Sequence, residues 1–343
     1  MVRTAIICTI GPACSDEKTL RAMARAGMDV ARLNFSHGTL SDHLRRVRLI
    51  RKINASGSHK IKVLVDLEGN RVRIGELPHG DCAVKKNKTL YVTNNPSIKK
   101  AGCVLFDYAG NLRDIKPGNR IFIDDGTIAL SVKRSLRDYL VTEVLVPGVI
   151  KSRKGVNIPS ANLKFNGLSG EDRTAITFAI DIRADFIAQS FVRSPADIIP
   201  IRTLVASSRP PCRIIAKTEN RQGIENADRI LSVADGIMIA RGDMGVSIPI
   251  YQIPIVQKQL IHLCNKRKKV VITATQMLES MTEHLLPTRA EVTDVSNAVF
   301  DGTDMVMLSG ETAVGKHPVE TVRLMDQILA YTETYLKKHP LKI

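Results

Sequence analysis

Eight short apolar runs recur along this 343-residue chain, and most lead into a stretch of helical periodicity. They are Ala5–Thr9, Val30–Asn34, Val63–Asp66, Phe186–Gln189, Arg213–Ala216, Gly236–Ala240, Val270–Thr273 and Met305–Leu308. Each is continuous rather than alternating, as expected of parallel strands whose two faces are both covered. Helical patterns stand between them at Asp16–Ala26, Leu40–Asn54, Pro195–Ser207, Ile253–Lys268, Arg289–Phe300 and Pro318–Lys337. Asp16 and Ser194-Pro195 carry N-terminal signals, and Gly27 a stop. Eight strand–helix units closing on themselves predict an α/β fold, the TIM (β/α)8 barrel.

One stretch breaks the alternation. Between about Asn70 and Lys154 the segments Thr89–Thr93, Arg120–Ile123, Ile128–Val132 and Leu140–Val146 are strand-like. Turn signals separate them at Pro78-His79-Gly80, Lys116-Pro117-Gly118-Asn119 and Asp124-Asp125-Gly126. The expected organisation is a discontinuous barrel, 1–69 with 155–343, and a small inserted β-barrel-like domain, 70–154, after strand three. Barrel active sites sit at the C-terminal strand ends, so an insert there is expected to act as a lid.

Composition narrows the function classes. A net charge of +16 raises the question of nucleic acid, but aromatics are 4%, Trp is absent, and Lys and Arg are spread along the chain. A base-stacking platform is therefore poorly supplied, and no nucleic-acid partner is expected. No apolar run approaches the roughly 18–20 residues of a membrane span, so no membrane partner is expected either. The first apolar run holds Thr9 and stops at Gly11-Pro12, which fits a buried strand better than a signal peptide. A cytoplasmic location follows as the expectation. Cysteines at 8, 14, 82, 103, 212 and 264 show no C-x-x-C spacing, which predicts reduced thiols rather than a disulfide framework or zinc site.

Polar clusters follow the strands. After strand two comes Arg32-Leu33-Asn34-Phe35-Ser36-His37-Gly38, where a two-residue period puts Arg32, Asn34 and Ser36 on one face. After strand five, Lys217 and Glu219 share a face at i and i+2. A structural ion pair is one reading, but buried pairs are a weak source of stability, so an electrophilic ammonium beside a metal-binding carboxylate is the better one. Arg241-Gly242-Asp243-Met244-Gly245 follows strand six, with glycines that allow close backbone approach and Asp243 as a second oxygen donor. Strand seven leads to Thr275, with Met277 and Met281 expected in the core. Two carboxylates without His or Cys favour a hard cation, Mg²⁺ or Mn²⁺. Neither a P-loop nor G-x-G-x-x-G occurs, so a nucleotide must be held by another device.

Together these segments resemble the pyruvate kinase family. The resemblance is carried by Thr9-Ile10-Gly11-Pro12, Arg32–Gly38, Lys154-Gly155-Val156-Asn157-Ile158-Pro159, Lys217–Asn220, Arg241–Gly245, Ala274–Met281 and Ser309–Thr312, in the family's order. It implies Mg²⁺-dependent phosphoryl transfer from phosphoenolpyruvate to ADP, the last step of glycolysis, in a homo-oligomer. It further implies that Glu219 and Asp243 hold the divalent metal, and that Gly242, Asp243 and Thr275 receive the substrate's carboxylate end. Lys217 would neutralise the transferring phosphoryl and then the enolate, with Arg32 and Arg73 on phosphoryl oxygens. Pro12, His37, Arg73 and Lys154 would face the nucleotide. Thr275 is expected near the final protonation, through water, without being the proton donor.

The chain departs from the family pattern in places. Where members commonly read Asp-Thr-Lys-Gly-Pro-Glu-Ile-Arg-Thr-Gly, this chain has Asp66-Leu67-Glu68-Gly69-Asn70-Arg71-Val72-Arg73-Ile74-Gly75. The family binds K⁺ near Asn34, Ser36 and Asp66, but members with a Lys in place of that Glu need none, and Leu67 accompanies that group. Arg71 therefore predicts that K⁺ is not required. Position 42, often a nucleotide-side Tyr, is Asp. The chain ends at Lys342-Ile343, so the family's C-terminal regulatory domain and its sugar-phosphate site are expected to be missing. Two other readings are a catalytically silent relative that binds an anion or partner, and a barrel lyase acting on phosphoenolpyruvate or pyruvate. Lys217, Glu219, Asp243 and Thr275 disfavour the first, and the β-rich insert with Lys154 the second.

Overall fold

The eight apolar runs form eight parallel strands of one closed barrel: β1 (Ala5–Thr9), β2 (Met28–Asn34), β3 (Lys62–Asp66), β4 (Phe186–Gln189), β5 (Arg213–Thr218), β6 (Gly236–Ala240), β7 (Val270–Ala274) and β8 (Met305–Leu308). Each strand pairs with its neighbours in chain order, and β1 closes the ring by pairing with both β2 and β8. The computed structural model describes residues 4–339 apart from 58–59, 78–79, 99, 101, 166 and 207–210. Pro78, His79, Ser207 and the Lys342-Ile343 terminus, named above, lie outside the described residues.

The continuous apolar runs are explained by two cores. Ile7, Val30, Leu64, Ala188, Ile215, Met238 and Ile272 fill the barrel interior. Their neighbours Ile6, Cys8, Ala31, Val65, Ile187 and Ile214 point the other way, into the layer under the helices. Because both faces are buried, both parities of the strand must be apolar. Each fully buried aliphatic side chain contributes roughly 1.5–3 kcal/mol.

Helix ends follow local chemistry. Asp16 Oδ1 accepts from Thr19 N at 2.9 Å to start Glu17–Ala26, and Gly27, at φ +122°, ends it. Thr39 with Asp42 and Thr288 with Glu291 form reciprocal capping boxes at the starts of Leu40–Ser56 and Arg289–Phe300. The helix expected from Pro195 is instead a 3-10 turn, Pro195–Asp197, followed by Ile199–Val205. Met277 and Met281 are buried, as their spacing implied. All six cysteines are unpaired thiols, four of them buried. Among the described residues no helix is long and apolar enough to cross a membrane.

The inserted unit has its own core and sheet. Seven strands run in the order Val72–Arg73, Gly155–Asn157, Arg120–Ile123, Ile128–Ser135, Leu140–Val146, Thr89–Thr93 and Cys103–Leu105. An Ile74–Phe106 bridge ties the first strand's end to the last, so the sheet curls on itself around Val92, Phe106, Ile121 and Leu130. The expected boundary at 154/155 is corrected here. Gly155–Asn157 pairs with Val72–Arg73 and Arg120–Ile123, which makes it a strand of the insert rather than the start of the barrel's return. The two compact units are 1–69, 168–242 and 252–343, and 70–167 with 243–251.

Candidate active site

The barrel's inner face changes character at the C-terminal ends of its strands. Two residues beyond the interior Ile7, Val30, Leu64, Ala188 and Ile215 come Thr9, Arg32, Asp66, Ser190 and Lys217. The period of two carries each polar side chain onto the face that its apolar predecessor occupies deeper in the barrel.

These residues interlock. Arg32 Nε donates to Asp66 Oδ2 at 2.6 Å, and its terminal nitrogen donates to Thr9 Oγ1 at 2.8 Å. Lys217 Nζ lies 3.2 Å from Asp66 Oδ1 and 3.2 Å from Glu219 Oε1, and donates to Ser190 Oγ at 2.6 Å. Ser190 Oγ in turn donates to Leu67 O at 2.7 Å, while Phe191 N donates to Glu219 Oε2 at 2.6 Å. All are buried, with Asp66 0% and Glu219 1% exposed. Two cations and two carboxylates thus balance with little help from water. Burial pushes the Asp66 carboxyl up, but the Lys217 and Arg32 charges beside it outweigh that and hold it below the ordinary carboxylate range.

A second group forms beside β6 and β7. Gly242 N donates to Thr275 Oγ1 at 2.8 Å, and Thr275 Oγ1 donates to Ala274 O at 2.6 Å. Thr275 and Gln276 both lie in the left-handed region, at φ +70° and +54°. Two consecutive non-glycine residues there are costly and persist only where surroundings hold them. Arg241 supplies the hold, donating to Thr275 O at 2.6 Å while its guanidinium pairs with Asp294 Oδ2 at 2.6 Å.

In the inserted unit, Arg71 lies 3.5 Å from Asp243 Oδ1 and 3.4 Å from Asp125 Oδ1. Lys154 Nζ pairs with Asp124 Oδ1 at 2.9 Å, and the Arg73 guanidinium donates to Arg153 O at 3.4 Å. Asp243 is the third residue of the short helix Arg241–Ser247.

The expected alternation through Ser36 fails. β2 ends at Asn34, and the chain turns because Asn34 Oδ1 accepts from Ser36 N at 3.2 Å and Asn34 O from His37 N at 3.3 Å. Arg32 is drawn into the cluster, whereas Asn34 and Ser36 are half-buried and His37 and Pro12 exposed. Ser190, Thr9 and the Arg241–Asp294 pair were missed from sequence. The signal for the first two was available, since each sits two residues past an interior residue at a strand end.

Glu219 and Asp243 each offer carboxylate oxygens, with Phe191 N and Lys217 on Glu219 and Arg71 beside Asp243. Among the described residues no three His, Cys, Asp or Glu side chains cluster as a metal cage. Carboxylate oxygens are the donors a hard cation such as Mg²⁺ takes, with water and substrate oxygens as its other ligands.

A family model described as "Pyruvate kinase, barrel domain" matches residues 1–322. A pyruvate kinase of Bacillus licheniformis is 43% identical over 339 residues, covering 98% of this chain and 58% of that protein. One from Geobacillus stearothermophilus is 44% identical over 338 residues, with the same two coverages. The crystal structure of a pyruvate kinase from Cryptosporidium parvum aligns with a TM-score of 0.92 at 39% identity, covering 97% of this chain and 70% of that one. The chain thus spans about 58% of the length of the first two relatives.

Proposed function

The chain belongs to the pyruvate kinase family, and from that premise we propose that it transfers the phosphoryl group of phosphoenolpyruvate to ADP, giving pyruvate and ATP. The observation that carries this reading is the buried ammonium of Lys217, set between Asp66 and Glu219 at the end of β5. Such an arrangement is a poor stabiliser of a fold, because desolvating the ions offsets most of their attraction. It suits phosphoryl transfer, which depends on positioning and charge compensation more than on covalent chemistry.

In this reading Lys217 meets the charge of the transferring phosphoryl group and then the enolate oxygen left behind. Arg32, held by Asp66 and Thr9, offers its remaining N–H donors to phosphoryl oxygens, and Arg73 adds a second guanidinium. Ser190 and Asp66 keep the ammonium aimed. The Gly242 and Asp243 amides with Thr275 receive the substrate's carboxylate. Thr275 stands near the closing protonation of enolpyruvate, through water, and is not assigned as its donor. Pro12, His37 and Lys154 take the nucleotide side.

Glu219 and Asp243 would hold a divalent ion, Mg²⁺ or Mn²⁺, which when bound neutralises oxygen charge on the substrate. Phe191 N already fixes one Glu219 oxygen, and the other, which faces Lys217, is the one that would meet the ion. K⁺ is proposed to be dispensable, the Arg71 guanidinium supplying fixed positive charge instead. The working partners are phosphoenolpyruvate and ADP, and the expected assembly is a homo-oligomer in the cytoplasm.

The deciding experiment is a coupled assay of purified protein with phosphoenolpyruvate, ADP and Mg²⁺. Pyruvate formation that needs both ADP and the metal supports the proposal. Pyruvate released without ADP would point to a lyase or phosphatase, and no turnover to a silent binding protein.

A further inference from the structure

The turn after β2 rests on a buried imidazole that none of the roles above uses. His43, in the first turn of the helix Leu40–Ser56, is 1% exposed. Its ring stacks on Phe35 at 4.2 Å with 14° between planes, and Phe178 closes the pocket edge-on at 6.4 Å. Nε2 lies 3.1 Å from His37 O. A carbonyl can only accept, so Nε2 carries the proton and Nδ1 is a bare lone pair. Among the described residues Nδ1 is buried with no hydrogen-bond partner. A phenyl ring would fill this apolar slot without stranding a polar atom. The distinguishing contribution of the imidazole is therefore its Nε2–H on the His37 carbonyl.

That carbonyl belongs to the turn whose His37 is assigned above to the nucleotide. The same turn is braced by the Asn34 contacts to Ser36 N and His37 N, and Gly38 leaves it at φ +82°. We propose that His43 is a positioning residue for the nucleotide, its Nε2–H holding the Ser36–Gly38 turn in the shape that presents His37 to ADP. The inference rests on the nucleotide reading of His37 given above.

The test compares wild type with His43→Phe, which keeps the stacking ring, and His43→Gln, whose amide N–H can reach the same carbonyl. KM for each substrate, kcat, thermal midpoint and calorimetric ADP affinity are measured for all three. Loss of one hydrogen bond should raise the ADP KM and Kd of the Phe variant about three- to ten-fold. The phosphoenolpyruvate KM and kcat should stay near wild type, and Gln should restore most of the ADP affinity. An unchanged ADP affinity in the Phe variant, an equal loss for both substrates, or a Gln variant as impaired as Phe would overturn the proposal. Should wild type fail to turn over, the kinase reading fails by itself, and ADP calorimetry on the same proteins still decides this one. A variant that does not fold leaves the tautomer as the measurement. Imidazole ¹⁵N shifts of wild type should show Nε2–H, and an Nδ1–H tautomer would overturn the positioning role.

Discussion

Asp66 shows how single residues set this site's behaviour, because its carboxylate lies between two buried cations. Asp66→Asn removes the charge, taking from Arg32 its carboxylate and leaving Lys217 with Glu219 alone. Breaking a buried pair from one side costs about 3–5 kcal/mol, so urea unfolding should show a loss of that size together with a collapse of kcat. A variant of wild-type stability would mean water screens the cluster. His43 gives a pH signature. Burial, joined by the Arg46 charge and opposed by the His37 carbonyl and Asp42, pushes its pKa down from 6.5 to about 4. The unfolded chain therefore binds a proton in this window that the folded chain refuses. Stability should fall as pH drops from 6.5 towards 4 and level off below. His43→Phe should flatten that part of the stability curve, and an unaltered slope would contradict it. Arg71 carries the potassium prediction: turnover in tetramethylammonium buffer should not respond to K⁺, whereas Arg71→Glu should become K⁺-responsive. A wild type idle until K⁺ is added would reverse that. The Arg71 guanidinium pairs with Asp243 and Asp125 within the inserted unit. Lys217 and Glu219 were legible from sequence because a strand end puts i and i+2 on one face. That Asp66 and Ser190 meet Lys217 was not, since each stands at the end of a different strand and the pairing depends on how the barrel closes.

At the scale of elements, the site depends on how β3 and β4 end. Gly69 follows β3 at φ +71°, and a Cβ there would sit 2.6 Å from Ser190 O. Gly69→Ala should therefore cost about 1–3 kcal/mol in backbone strain alone and displace the residue that holds Lys217. Kinetics should show kcat falling more than either KM rises. A variant with wild-type kcat would separate the β4 end from catalysis. All eight barrel strands were visible as apolar runs, because burial on both faces leaves little choice of residue. Their ends were less so: β5 continues through the polar Lys217 and Thr218, which the sequence pattern reads as a stop. Gly170–Asp181 escaped notice despite Ser169 Oγ accepting from Asp172 N at 2.9 Å. Its apolar residues, Ala175, Ile176, Phe178 and Ala179, form too short a stripe to stand out. The strand Gly155–Asn157 was hidden within the Lys154–Pro159 motif, since three residues carry no periodicity.

For the molecule as a whole, the barrel explains why sparse, distant residues can act together. Eight strands bring their ends to one rim, so Thr9, Arg32, Asp66, Ser190 and Lys217 meet although they span more than half of the chain. The net charge of +16 suits anionic substrates, as an accumulation of positive charge favours their approach. The central proposal is that this rim transfers phosphoryl from phosphoenolpyruvate to ADP with Lys217 as the electrostatic centre. The most direct measurement follows ATP and pyruvate together by ³¹P and ¹H NMR, for wild type and Lys217→Met, in Mg²⁺. Wild type should yield the two products in equal amounts. Lys217→Met should lose about 10²–10³ or more in kcat, the scale of removing one transition-state donor, while phosphoenolpyruvate binding largely survives. Pyruvate without matching ATP, or a Lys217→Met variant that turns over like wild type, would contradict the account.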